Sequence, residues 1–484
     1  MKNYSYHYID GAWVAPSKPD KRDRVNPNTE TVFASVANGG TAEDVHRAVV
    51  AARRAFNTFS HTSVAERVAM IDRLIAAYEN RVEELADVLA LEVGVPKSAR
   101  AQVTGPIEHM KVARDLLASY QFESRMGDTI IRRESVGVCA LISPWNWPVQ
   151  TPVIKFIYAL AAGCASIMKG SDASPLSSIL LTEIIDKADL PPGVFNLILG
   201  RGSVVGEALS RHPDVDLVSF TGSTSAGIKV GEAAAGTIKR MSLELGGKSA
   251  NIVLKDADLE AAARWNIKRC FFNTGQSCHA PSRMLIHEDQ MEIVIPYLVD
   301  ECTRFRLGDP CDPATTMGPV INQMQYESIR RYIQSGIDEG ARLICGGLER
   351  PDGLERGFFV QPTVFSDVTA AMTIAKEEIF GPVLAVIPYR NEQEALEIAN
   401  DSIYGLGGYV FSGDRKRGYE FAAGLRAGRI CVNGAATNPL TPMGGYKQSG
   451  IGRSMGRFGL EEYLEIKSIY GLEDDAVGLS ELAC

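Results

Sequence analysis

Cys278 stands in the run Phe-Phe-Asn-Thr-Gly-Gln-Ser-Cys-His-Ala-Pro-Ser-Arg (271–283), a lone thiol among small and polar residues. That setting predicts an accessible sulfur, and the thiolate rather than the thiol is the reactive form. Thirty-four residues upstream, Glu244 lies in Met-Ser-Leu-Glu-Leu-Gly-Gly-Lys (241–248), followed at once by a flexible Gly-Gly pair. A nucleophile and a base carried on separate segments is what covalent catalysis requires. A polar-flanked cysteine taken alone is more often inert than catalytic, so the remainder of the chain must decide.

Five further segments have residue types suited to binding. Phe-Asn-Leu-Ile-Leu-Gly-Arg-Gly-Ser-Val-Val-Gly (195–206) approaches a dinucleotide fingerprint, with Gly202 at its second glycine. Its glycine spacing is one residue too long, and Asp214 and Asp216 precede the next strand instead of ending it. Phe-Thr-Gly-Ser-Thr-Ser-Ala-Gly (220–227) is the better phosphate site. Gly222 allows close backbone approach, Ser223 caps a helix, and the free N–H groups there attract an anion. Lys169-Gly170-Ser171-Asp172 follows another strand end, where the carboxylate suits ribose hydroxyls and the lysine a ribose or phosphate. In Pro144-Trp145-Asn146-Trp147-Pro148 the Asn146 amide is placed to donate to an oxyanion. Glu377-Glu378-Ile379-Phe380-Gly381-Pro382 offers carboxylates for a sugar diol. Each segment alone is also an ordinary turn.

The elements positioning these groups follow from periodicity. Tyr8–Ala37 reads as short strands and turns. Thr41 caps a helix with Asp44 at its third position, and Val45, Val49, Ala52 and Phe56 recur at helical spacing. One long helix is expected over 65–92 and another over 98–120. From Val136, apolar strands (136–143, 165–168, 195–199, 215–220, 241–243) alternate with helices, the mark of a parallel sheet. A second alternating block runs from Ser249 to about Tyr446, with Gly246-Gly247 as the hinge, and 461–470 reads as a strand.

Composition excludes several classes. At 484 residues the chain exceeds one core, so two or three domains are expected. A net charge of −9 argues against nucleic acid, which needs a basic surface. The longest apolar stretch, around Ile154–Met168, is too short and broken to span a bilayer. Nine cysteines without regular spacing or a signal peptide read as reduced thiols in the cytoplasm. No CxxC, HExxH or clustered histidine appears, so no metal site is expected.

Taken together, Pro-Trp-Asn, Phe-Thr-Gly-Ser-Thr, Leu-Glu-Leu-Gly-Gly-Lys, Gly-Gln-x-Cys, Glu-Glu-Ile-Phe-Gly-Pro-Val and Pro-Met-Gly-Gly-Tyr-Lys-Gln-Ser-Gly-Ile-Gly-Arg (442–453) occur in one order. In this respect the sequence resembles the NAD(P)-dependent aldehyde dehydrogenase superfamily from about residue 8 to 470. The resemblance implies an α/β fold of two Rossmann-like domains plus a small β oligomerisation element. The expected divisions are 1–119 and 136–246 for NAD, 247–446 for catalysis, 120–135 and 460–472 for oligomerisation, and a flexible tail at 473–484. It further implies Cys278 as nucleophile, Glu244 as the base activating water, Asn146 with the Cys278 N–H as oxyanion hole, and Lys155 as proton relay. Ser143, Trp145, Lys169, Asp172, Gly202, Phe220, Gly222, Ser223, Gly227, Leu245, Glu378 and Phe380 would bind the cofactor, NAD with NADP as the alternative. The presence of Glu244 favours water over coenzyme A as acyl acceptor, hence a free acid as product.

Departures from the family pattern bear on specificity. Asp172 stands where the family usually has Glu, Trp147 replaces a usual Phe, and Met443 replaces a usual Phe. The channel expected by resemblance comprises Trp147, Thr151, Ile154, Phe272, Ser277, His279, Thr437 and Met443, with His279 read as lining. This set contains no Arg or Lys to clamp a carboxylate, which points to an apolar or aromatic aldehyde. A semialdehyde of a dicarboxylic pathway is the alternative, because side chains of the 105–120 helix reach such channels. Partners are expected to be a small aldehyde and further copies of the chain, as a dimer or tetramer, with neither nucleic acid nor membrane. A Cys-dependent hydrolase or acyl transferase without nicotinamide and a catalytically silent structural or binding relative are the remaining rivals.

Overall fold

The computed structural model describes residues 4–471. Five parallel strands form the centre of an eight-stranded sheet, in the spatial order Arg240–Glu244, Leu217–Thr221, Val138–Ile142, Ala165–Lys169 and Phe195–Leu197. The three middle strands are almost wholly buried, as expected where helices cover both faces. Of these five, the first along the chain is the central Val138–Ile142; the next two fill one side, and the chain then crosses to Leu217 and fills the other. This reversal opens a crevice at the carboxyl ends of Val138–Ile142 and Leu217–Thr221, where such sheets bind ligands. His7–Ile9 and Ala12–Val14 extend one edge antiparallel, and Gly450–Ile451 pairs with Leu243 and Glu244 at the other.

A seven-stranded sheet follows, in the order Arg342–Cys345, Thr363–Ser366, Val383–Tyr389, Arg283–His287, Ala250–Val253, Gly407–Phe411 and Arg429–Val432. Gly246 and Gly247 join the carboxyl end of Arg240–Glu244 to the amino end of Ala250–Val253. Glu123–Met126, Thr129–Ser135 and Leu464–Ile469 make a separate antiparallel sheet, turned at Gly127, whose φ of 60° suits glycine. The hairpin read at 120–135 and the late strand read at 461–470 thus pair with each other. Residue 472 and the tail at 473–484 lie outside the described residues, as do residues 1–3.

Thr41 caps Ala42–Phe59 with Asp44 closing the capping box, as its spacing predicts. The long helix expected over 65–92 is instead two, Val64–Glu79 and Val82–Glu92. Asn80 ends the first by donating its side-chain amide to the Ala76 carbonyl at 2.9 Å. Arg81 (φ −122°, ψ 12°) leaves helical geometry and pairs with Glu84 and Glu183 at 2.5 and 3.1 Å. Apolar periodicity persists across the break, which hid it. The strand expected over 136–143 is shorter, because Gly137 (φ 133°) bends the chain and Asp216 accepts the Val138 N–H at 2.7 Å. Asp216 also pairs with Arg53 at 2.5 Å, so this acid anchors the sheet. Among the described residues, no helix is long and apolar enough to cross a membrane and no three metal-ligating side chains cluster.

Candidate active site

Strand ends deliver the chemistry to one place. Glu244 ends its strand, Asn146 follows Val138–Ile142, and Thr221 ends Leu217–Thr221. Together with Cys278 and Lys155 they line a cavity of about 420 Å³. Cys278 comes from the other sheet, on the loop leading into Arg283–His287.

That loop is held in an unusual shape. Asn273, Thr274 and Gly275 all take left-handed backbone angles (φ 54°, 56° and 73°), uncommon for the first two. Such conformations persist where their surroundings over-determine them. Gln102 donates to the Asn273 carbonyl oxygen of the side chain at 2.9 Å, and Asn273 Nδ2 donates to the Asn146 carbonyl at 3.0 Å. Thr274 donates to the Gly318 carbonyl at 3.0 Å, and the Ile321 N–H donates to Gln276 Oε1 at 3.0 Å. Asn146 Nδ2 donates in turn to the Gln276 carbonyl at 3.0 Å. An amide carries two N–H donors, so one remains for a ligand in the cavity. A Cβ on Gly247 would overlap the Cys278 carbonyl oxygen, which explains why glycine is needed at the hinge.

Electrostatics separate the roles. Burial, with the negative Glu378 and Glu244 nearby, pushes the Cys278 thiol up to about 12, so the resting sulfur is protonated. It is half-buried, not the freely accessible thiol that its flanking residues predict. Burial pushes Glu244 up to about 7, opposed by Lys155. Ser454 donates to Glu244 Oε1 at 3.0 Å, whereas the buried Oε2 has no partner in the protein. Lys155 is brought down to about 8 by burial and donates to Ser219 Oγ at 2.7 Å. His279 Nδ1 lies 3.9 Å from the sulfur, and burial keeps the imidazole neutral.

Of the channel residues inferred from sequence, Trp147, Thr151, Ile154, Phe272, His279, Thr437 and Met443 all line the cavity. Trp147 stacks on Phe272 and His279, with ring centroids at 5.8 and 6.4 Å. Ser277 does not line it; its hydroxyl is buried beneath the loop. Arg269 and Arg429, which the expected channel set does not include, line the same cavity.

A family model described as the aldehyde dehydrogenase family matches residues 13–469. The chain is 48% identical, over 98% of its length and all of the relative's, to a 3-succinoylsemialdehyde-pyridine dehydrogenase of a Pseudomonas species. The structure of an aldehyde dehydrogenase C variant from Pseudomonas syringae, complexed with NAD+ and octanal, superposes with a TM-score of 0.96. Its sequence is 46% identical, with 98% of each chain covered. A betaine aldehyde dehydrogenase from Staphylococcus aureus with NAD+ gives 0.93 at 37% identity, covering 98% of this chain and 97% of that one. The chain belongs to the aldehyde dehydrogenase family.

In this aldehyde dehydrogenase Ser143, Lys169, Gly202 and Ser223 sit at the carboxyl ends of strands of the first sheet, and Glu378 and Phe380 come from the segment before Val383–Tyr389. Ser223 caps Thr224–Ala235, accepting the Ala226 N–H at 3.3 Å, and its own side chain is exposed. The space over Gly202 is open, with the Lys169 amine as its nearest neighbour. Lys169 is buried and lies 3.8 Å from Asp172, which also pairs with Arg22 at 3.3 Å. The Ser143 hydroxyl is buried without a partner. Glu378 accepts the Gly247 N–H at 3.0 Å, and burial raises its carboxyl to about 7. Phe380 (φ 59°) meets Trp145 edge-on, centroids 5.3 Å apart. A Cβ on Gly227 would strike Leu245, and the Phe220 ring is folded back against Gly222. Both therefore shape the strand-to-helix turn by packing.

Sequence reasoning missed Ser454, Ser219, Arg269 and Arg429. Ser454 directly follows the Gly-Ile-Gly-Arg motif, and only tertiary pairing of Gly450–Ile451 with the Glu244 strand brings it to the base. Ser449 pins the same junction, donating to the Gly246 carbonyl at 2.7 Å and accepting the Gly405 N–H at 2.9 Å. Arg269 sits one helical turn from Phe272, a spacing that placed it on the channel side once Phe272 was assigned there.

Proposed function

We propose that this enzyme oxidises an aldehyde carried on an apolar or aromatic chain to its carboxylic acid with NAD, through a thioester on Cys278. The observation carrying the reading is the unpartnered Glu244 Oε2, buried in the same cavity as the Cys278 sulfur. The cysteine Sγ attacks the aldehyde carbon as its proton passes to solvent water, giving the anion of a thiohemiacetal. The second Asn146 N–H and the Cys278 backbone N–H stabilise the oxygen that becomes negative. The chemistry the dinucleotide supplies when bound is acceptance of hydride from that adduct. Glu244 then takes a proton from water through its free oxygen, and the hydroxide displaces Cys278 from the acyl carbon. Lys155, beside Glu244, holds the positive charge that favours its carboxylate.

The residues present fit a dinucleotide. The open surface over Gly202, the buried cation of Lys169 and the helix start at Ser223 suit a pyrophosphate. Lys169 and Asp172 would hold the adenosine ribose, and Glu378 the nicotinamide ribose. The two cofactor-bound structures named above both contain NAD+, which supports NAD over NADP here. We infer the division into an NAD-binding part (1–119, 136–246) and a catalytic part (247–446). The 120–135 and 460–472 segments are the oligomerisation element of a cytoplasmic homodimer or homotetramer.

A panel of aldehydes with NAD and with NADP, followed by reduced-cofactor absorbance, tests the proposal. Turnover is expected with NAD in preference to NADP. No turnover with any aldehyde, while Cys278 remains alkylatable, would defeat it. Gly246→Ala provides a local test of the cofactor role. A methyl there would overlap Glu378 Oε2 and turn the carboxylate aside. Loss of a hydrogen bond to a charged group costs roughly 1.5–3 kcal/mol, so the KM for NAD should rise about tenfold or more. An unchanged KM would remove Glu378 from the ribose.

A further inference from the structure

Two guanidinium groups line the substrate cavity without a carboxylate to neutralise them. Arg269 comes from the helix Leu259–Phe271, and Arg429 opens the strand Arg429–Val432. Both are half-buried, and among the described residues neither lies within 4 Å of a carboxylate oxygen. They are close enough to the reacting end to act on it. Each disfavours protonation of His279, and Arg429 favours the Cys278 thiolate. Arg269 also reaches the Tyr409 hydroxyl, which donates to the His279 carbonyl at 2.7 Å.

The acidic groups facing the cavity leave this charge unmet. Glu244 is engaged by Ser454 and Lys155, and Glu108 is exposed on the helix Ala101–Ser119. His109, on the same helix, is held neutral by burial. Partly desolvated cations without a counter-ion are costly, and a guanidinium keeps its charge at any working pH. Its planar fork matches a carboxylate in two-point geometry.

Resting on the oxidation reading above, we propose that the preferred substrate is an aldehyde with a carboxylate at its far end. Cys278 takes the aldehyde, the Trp147–Phe272–His279 stack covers the chain, and Arg269 with Arg429 binds the carboxylate. Both arginines act as specificity determinants rather than catalytic residues. The class of reaction supplying such a substrate leaves an aldehyde on one end of a chain already acidic at the other. The product would be a dicarboxylic acid.

The test compares 5-oxopentanoate with pentanal, which matches its length and lacks the charge. In the wild-type enzyme, kcat/KM should favour 5-oxopentanoate by about 10–100-fold, mostly through KM. The preference should shrink at high salt. In Arg269→Met with Arg429→Met the ratio should fall to about one, and lysine at both positions should restore part of it. Glutarate, which needs no variant, should inhibit competitively with aldehyde, and its dimethyl ester should not. Equal or better turnover of pentanal, a ratio unmoved in the methionine variants, or no inhibition by glutarate would overturn the clamp while leaving aldehyde oxidation intact. Failure of both aldehydes would instead overturn the oxidation reading and the clamp together.

Discussion

Cys278→Ala is expected to reduce aldehyde-dependent NADH formation by about 10³-fold or more, since no covalent adduct can then form. Among the described cysteines only Cys278 lines the cavity holding Glu244, Asn146 and Lys155. Cys139, Cys164, Cys270, Cys302 and Cys431 are buried in the protein, and the half-buried Cys345 and exposed Cys311 do not line the cavity. Alkylation provides an independent check. With the thiol raised to about 12, iodoacetamide should label Cys278 slowly near neutral pH, and faster as pH rises. Mass spectrometry of the labelled peptide reads this directly. Substantial turnover in the alanine variant, or activity surviving complete labelling of Cys278, would remove this residue from the mechanism. Fold integrity is checked by NAD binding, because an alanine at 278 leaves the strained loop's own hydrogen bonds in place.

How much of this was legible in the sequence depends on distance along the chain. Strand ends in the first sheet were readable because each buried apolar run stops at a polar motif, so Asn146, Lys169 and Glu244 emerge at one edge. Thr41 and Asp44 announced their helix through a local capping box. Long-range partners left no such mark. Ser454 meets Glu244 across 210 positions, and Ser219 meets Lys155 across 64. The Asn80–Arg81 break was concealed because apolar spacing continues through it. Arg269 and Arg429 were invisible as a pair, since one lies on a helix and the other on a strand 160 residues later. The left-handed Asn273-Thr274 turn is likewise a tertiary product, imposed by Gln102, Gly318 and Asn146 rather than by the preferences of Asn and Thr.

Glu244→Gln should separate the two halves of the reaction. Glutamine keeps the shape and can still meet Ser454, but it cannot accept a proton from water. The acyl-enzyme is therefore expected to form once and persist, giving a burst of about one NADH per site followed by a slow phase. Positioned bases contribute roughly 10²–10⁴-fold, so the steady rate should fall by that order. The pH dependence has a definite sign. Burial raises Glu244 to about 7, so below that value the carboxyl is protonated and cannot serve as base. Wild-type steady-state turnover should accordingly rise with pH through about 7. Lys155, lowered to about 8, loses its proton above that pH, and with it the positive charge supporting the carboxylate. Two groups this close titrate as a pair, so the profile reports their joint behaviour. In the glutamine variant the inflection near 7 should vanish from the slow phase. A steady rate without a burst would leave water activation to another group. Loss of the burst itself would mean that Glu244 acts earlier, taking the proton from Cys278, whose elevated pKa makes some acceptor necessary.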